Sequence, residues 1–246
     1  MRKIILSVAV IISLITFTNC NETINEPAAP TEGQIALFTT PSGATILIDG
    51  VTKGTTPDTV TTKIGVNDIT FQLTNYVDTT VSVSVSGTDM GILNVTLTPE
   101  RLHFDTLKVW QTGNGTTAEQ PSGIDLSAGL TVALSGADSL LTDIYYTGSN
   151  FTIRSANYLG ENYRKSYFKD GMATNLFDGV DAPEYNNTWE TSMPDDVNGN
   201  YYFIYDNDGN YSKFRVINSG GAGTWGDAKW VEVEWIYIKA PGERKF

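Results

Sequence analysis

One cysteine and one histidine are all that the chain holds of the two side chains most often used for nucleophilic and acid–base chemistry. The cysteine is Cys20, so the part expected to fold has no thiol, no disulfide framework and no cysteine nucleophile. His103 has no serine motif around it, and no recognisable triad can be assembled from it. Positive charge is also scarce, with 16 Lys and Arg against 28 Asp and Glu and a net charge of −12. A chain this acidic lacks the clustered Lys and Arg that nucleic acid requires, and it gains nothing from anionic lipid head groups. No long apolar pattern of helical period occurs, and no Gly-rich phosphate loop precedes a helix. Acidic residues are many, but nothing singles out a pair for glycosidic cleavage. The reading is therefore a binding protein and not an enzyme.

What is present begins with Arg2 and Lys3, an apolar run from Ile4 to Phe17, and Thr18-Asn19-Cys20. The run is shorter than the ~20 residues that a permanent span needs, and its flanks are those of a removable signal. A lone cysteine at this point resembles the lipobox of bacterial lipoproteins, with Phe17 and Asn19 in place of the usual Leu and Gly or Ala. The resemblance implies a signal peptide over 1–19, acylation of Cys20, and a lipid-anchored protein of the cell envelope, on the outer membrane's periplasmic face or the cell surface. Residues 20–33 carry Glu22, Glu26 and Glu32 among Asn, Thr, Pro and Ala, a composition expected of a flexible tether. Removing the signal takes away two positive charges and no acids, so the mature chain is more acidic still.

Residues 34–99 alternate with period two. Ile46 and Ile48 share a face, as do Ile69, Phe71 and Leu73, then Val81, Val83 and Val85, then Leu93, Val95 and Leu97. Pro41-Ser42-Gly43, Asp49-Gly50 and Ser86-Gly87 supply turns. Five to seven short strands in so short a stretch predict a small sandwich. Thr40-Pro41-Ser42-Gly43-Ala44, Ile46-Leu47-Ile48-Asp49-Gly50, Gly54-Thr55-Thr56-Pro57 and Asn75-Tyr76 resemble, in order, the motifs of the PEGA domain. That resemblance implies a surface module with roles in protein or polysaccharide contacts and no catalytic activity.

Residues 100–122 read as a bridge containing His103, followed by a loop. Beyond it, strand-like runs cover 130–134, 143–146, 151–155, 201–205, 213–217 and 230–238, with Asn207-Asp208-Gly209-Asn210 as a hairpin turn between the fourth and fifth. In the last run Val231, Val233 and Trp235 alternate with Glu232 and Glu234, which predicts one apolar and one wet face. Asp206 to Asn210 lacks the glycine position of an EF-hand, so a turn is the better account. Residues 157–200 form a long irregular stretch, rich in aromatics, where a ligand loop is expected. The fold class is mainly β, a small PEGA-type sandwich followed by a larger antiparallel all-β domain over 123–246.

Ile124-Asp125-Leu126-Ser127, Asp143-Ile144-Tyr145-Tyr146, Asp208-Gly209-Asn210-Tyr211 and Lys213-Phe214-Arg215 resemble the HmuY-type envelope lipoproteins. The resemblance implies an all-β fold and haem capture through a pair of histidines, yet this domain has no histidine. Haem iron also accepts Met or Tyr, so Met172 and Met193 are candidate ligands, although thioethers commonly fill core gaps. Tyr163, Tyr167, Phe168 and Trp189 complete the candidate ligand-binding set, with Tyr158 and Tyr185 nearby; their rings suit a porphyrin or a sugar. No cofactor is required by the sequence, and haem is the one implied. The functional expectation is a lipid-anchored envelope protein that binds haem or another porphyrin. The alternatives are a glycan-binding or adhesion module and a structural adaptor for other envelope proteins.

Overall fold

Seventeen strands and two short 3-10 turns make up the structure, a computed structural model that describes residues 28–113, 119–148 and 150–246. The signal segment, Cys20 and most of the expected tether lie outside the described residues.

The first unit contains β1 (Glu32–Thr40), β2 (Thr45–Ile48), β3 (Val51–Thr55), β4 (Asp58–Lys63), β5 (Gly65–Gln72), β6 (Thr79–Val85) and β7 (Gly91–Thr96). They form a three-stranded sheet in the order β4-β1-β7 and a four-stranded sheet in the order β3-β2-β5-β6. All pairings are antiparallel except β1 with β7. Inward-facing residues of every strand but β3 fill one core: Ile35 and Leu37 meet Ile46, Ile48, Ile69 and Phe71. Asp49 and Gly50 both take positive φ, at 49° and 80°, as a two-residue hairpin loop with the twist of its strands requires. Glu32 and Gly33 belong to β1, so the ordered unit starts two residues inside the stretch expected to be tether.

The second unit contains β8 (Arg101–Trp110), β9 (Gly123–Asp125), β10 (Leu130–Val132), β11 (Ile144–Tyr146), β12 (Thr152–Ser155), β13 (Tyr167–Asp170), β14 (Ser192–Pro194), β15 (Tyr202–Tyr205), β16 (Tyr211–Gly220) and β17 (Trp230–Ile238). Two five-stranded antiparallel sheets, β10-β9-β11-β12-β14 and β13-β15-β16-β17-β8, face each other. Between them lie Ile144, Tyr146, Ile153, Phe214, Val233 and Trp235. The Trp235 indole donates to the Leu126 carbonyl at 3.0 Å, which satisfies its buried N–H. Asp206 caps the β15–β16 hairpin by accepting from the N–H groups of Asp208 and Asn210, both at 2.9 Å.

Two expectations need correction. Residues 101–110 are not a bridge but the long edge strand β8, paired along its length with β17. Nor is the outer face of β17 wet throughout: Glu234, Ile236 and Ile238 are buried on it. The irregular segment after β13 and the chain after β17 cover that face. They pack Leu176, Ala182, Trp189 and Ala240 against Tyr201, Phe203, Tyr211, Ile236 and Ile238. The second unit is thus a sandwich with an additional irregular layer.

A buried charge network ties the first sheet to the β15–β16 turn. Asp143 is fully buried and accepts from Arg164 Nε at 2.5 Å and from the Leu126 N–H at 2.9 Å, while Arg164 also pairs with Asp208. Burial pushes the Asp143 carboxyl up to about 7, against the pull of Arg164. The folded state therefore keeps this proton to higher pH than the unfolded chain. Its contribution to stability is full below 3.8 and is lost as pH rises through about 7. Melting temperature is expected to fall across that window, and Asp143→Asn, which cannot ionise, is expected to flatten the fall. Parallel thermal melts at constant ionic strength check this; identical slopes in the two proteins would show that Asp143 is not the titrating group.

Candidate functional site

The outer face of the second sheet owes its site to strand parity. On β16, Phe214 and Val216 point into the sandwich, which turns Lys213 and Arg215 to the opposite side. On β17 the same side carries Glu234 and Ile236, and on β8 it carries Arg101 and His103, with His103 opposite Ile236 in the register. A charged, aromatic surface results, and the irregular segment must cover it without a strand ladder of its own.

Cations provide that cover. Lys213 is 0% exposed. Its ammonium pairs with Asp178, lies 3.4 Å from the Leu176 carbonyl, and sits 4.8 and 4.9 Å from the ring centres of Tyr201 and Phe246. The Tyr201 hydroxyl donates to the other Asp178 oxygen at 2.9 Å. Burial raises the Asp178 carboxyl, but Lys213 and the donors around it outweigh that, and the group titrates below the usual carboxylate range. Arg215 pairs with Glu234 and donates to the Thr174 carbonyl, and Arg244 donates to that of Ala182 at 3.2 Å. Backbone carbonyls at 174, 176 and 182 are thus held by three cations.

The segment so pinned presents Phe177 at the surface, 64% exposed. Its ring stands edge-on to His103, with centroids 5.0 Å apart and planes at 81°. Beside them opens a cleft of about 290 Å³ lined by Arg101, His103, Leu176, Phe177, Ile236 and Phe246. Leu176 and Ile236 are buried and form an apolar floor, while Arg101 and His103 are polar lining groups. His103 Nε2 is 3.5 Å from Glu234. An apolar base with a few convergent polar groups is the usual make-up of a small-ligand site, and a volume near the low end of such sites suits one ring better than a macrocycle.

The residues expected to bind ligand do not converge on this cleft or on each other. Phe168 and Met193 are buried in the inter-sheet core. Met193 also lines a notch of about 120 Å³ with Asp170 and Asp196, a small acidic space. Met172 is 83% exposed on the turn after β13, where its N–H donates to Asp170, so the two methionines make no axial pair. Trp189 is 6% exposed and packs in the outer layer. Tyr167, Tyr185 and Tyr205 stack on one another, with Tyr185 and Tyr205 4.5 Å apart and only 9° from parallel. Their faces are largely spent internally. Tyr163 is half-buried beside Gly160. Among the described residues no cluster of three His, Cys, Asp or Glu side chains is disposed to hold a metal. Asp195 is engaged by Lys229 at 2.7 Å and by the Tyr146 hydroxyl at 2.6 Å.

His103, expected in a bridge, lies instead on β8, and Phe177 comes from the irregular segment. The usable signal lay in Asn175-Leu176-Phe177-Asp178-Gly179, two large apolar residues inside a turn-forming frame.

Residues 32–101 match the PEGA domain family. The match spans the whole first sandwich and ends on Arg101, the first residue of β8. Among curated proteins none matches the chain. In the PEGA-like unit the shallow hollow at Phe38, Pro57, Asp58 and Thr59 has neither a buried floor nor a basic group.

The pinning makes a quantitative prediction. Lys213→Ala leaves Asp178 without its cation, and because Asp178 is only half-buried the cost is about 1–3 kcal/mol, less than for a fully buried pair. Urea denaturation should show a loss of that order, with new proteolytic cleavage between residues 174 and 182 under native conditions. An unchanged midpoint and an uncut segment would mean that the ion pair does not hold the layer.

Proposed function

We propose that the chain is an exported lipoprotein of the bacterial envelope, acylated at Cys20, that binds a sugar unit of a glycan in the His103–Phe177 cleft. One observation carries the ligand class: an exposed Phe177 ring stands over an apolar-floored cleft of single-ring size, with polar side chains at hand. Aromatic faces stack on the C–H faces of sugars, and His and Arg donors match their hydroxyls. The PEGA resemblance, with its polysaccharide contacts, agrees with this reading, and the acidic surface agrees with partners other than nucleic acid. The reading is one of binding and not of catalysis.

The test is retention of the full-length protein on immobilised envelope polysaccharide. Phe177→Ala is expected to lose about tenfold or more in affinity, the scale of one stacked ring on a ligand, with no change in melting temperature because Phe177 is exposed. Equal retention of wild type and variant would remove the cleft from the reading.

Haem is the second reading, favoured by one observation: the only histidine of the chain lines this cleft. The HmuY-like resemblance of residues 123–246 supports the same ligand. With the methionines apart, haem would need His103 as its single protein ligand to iron. Hemin titration of the full-length protein then yields a saturable visible band that His103→Ala abolishes and Met172→Ala leaves intact. Absence of any saturable band leaves the glycan reading alone.

A further inference from the structure

We propose that the sugar bound in this cleft is an acidic one, a uronic-acid unit whose carboxylate is taken by Arg101. The inference rests on the glycan reading and adds the charge of the ligand. It starts from the pairing of charges around the cleft. In a chain of net charge −12, basic side chains have carboxylates in excess, and three cations close to the cleft are paired. Lys239 holds Glu100, Lys213 holds Asp178, and Arg215 holds Glu234. Asp105 shares the outer face of β8 with His103 and accepts from the Thr106 hydroxyl, while these three acids adjoin the lining residues. Each is already committed, Asp178 further to the Tyr201 hydroxyl and Glu234 further to His103.

Arg101, the lysine or arginine that lines the cleft, has no such partner. It is exposed, it lines the cleft, and among the described residues no carboxylate pairs with it. Parity puts it on the same face of β8 as His103, two residues away, at the end of an apolar floor. A guanidinium matches a carboxylate with two parallel N–H donors and keeps its charge at every physiological pH. A ligand carboxylate entering here meets a cation that no carboxylate has neutralised. A neutral sugar would stack on Phe177 and offer Arg101 hydroxyls, but no charge to pair with. An acidic sugar satisfies both, with ring on ring and carboxylate on guanidinium.

Calorimetric titration of the full-length protein separates this proposal from the reading beneath it. The probes are oligosaccharides of galacturonate and of glucuronate, each compared with its carboxyl-reduced neutral form. The acidic forms are expected to bind about tenfold or more tightly than their neutral forms, as for one charge-assisted pair. That preference should vanish in Arg101→Gln, whose melting temperature should be unchanged because Arg101 makes no ion pair. Equal affinity for acidic and neutral forms overturns the acidic ligand and leaves the glycan reading standing. No affinity for any of the four overturns both. An acid preference that survives Arg101→Gln overturns the assignment of the carboxylate to this residue.

Discussion

A lysine buried in the outer face of a sheet sets the terms for the second unit. Lys213 reaches that face because its neighbours Ser212 and Phe214 belong to the inner one, and an unpaired ammonium there would be strongly unfavourable. Asp178, the Leu176 carbonyl and the rings of Tyr201 and Phe246 meet the need. All four groups lie outside β16 and its strand neighbours, so solvating the lysine and ordering the cover are one event. Arg215 and Arg244 extend the pattern through the carbonyls of Thr174 and Ala182. A segment with almost no strand ladder is thereby fixed closely enough to hold Phe177 out over a cleft.

The first unit was readable because most of its core strands alternate from end to end. Ile46 and Ile48, or Ile69 and Phe71, announce a buried face without reference to anything distant, and Asp49-Gly50 specifies its hairpin locally. Strand β8 defeated the same test for a definable reason. Leu102 and Phe104 face the core on even positions, Leu107 and Val109 on odd ones, and the register to β17 slips between them, where Thr106 takes a φ of 57°. A bulge reverses the alternation at mid-strand. Read linearly, the ten residues average to no pattern at all. Strands β9, β13 and β14 hold three or four residues each, too few for any period to be seen. In β17 the alternation of Glu232 and Glu234 with valine was visible, but water on the glutamate side was an inference from polarity. Arg215 and His103, not solvent, meet Glu234.

The site was less legible than the fold because its parts come from three distant stretches: Arg101 and His103, Leu176 and Phe177, Ile236 and Phe246. The sequence does suggest where irregular chain and aromatic rings concentrate, and Phe177 lies in that region. It does not reveal which rings are spent on one another. Tyr167, Tyr185 and Tyr205 lie far apart along the chain, and only the pairing of β13 with β15 stacks them. Met193 is a core residue because β14 pairs with β12. A set chosen by residue type alone therefore gathered core and surface together.

The PEGA-like domain bears on the site in a way that a spacer would not. Tyr76, at its Asn75-Tyr76 turn, packs both in its own core and against the outer layer of the second unit. Glu100 is bound twice to Lys239, once through its side chain and once through its carbonyl, which accepts from the Lys239 N–H at 2.9 Å. Between these contacts the chain passes from Pro99 directly into β8, so the last residue of the domain match, Arg101, is also a wall of the cleft. Tilting one unit on the other would drag Arg101 along the floor set by Ile236. The junction therefore does more than connect two sandwiches. It fixes the spacing between a guanidinium that begins one strand and a ring held by the loop, and that spacing is what a ligand entering the cleft would measure.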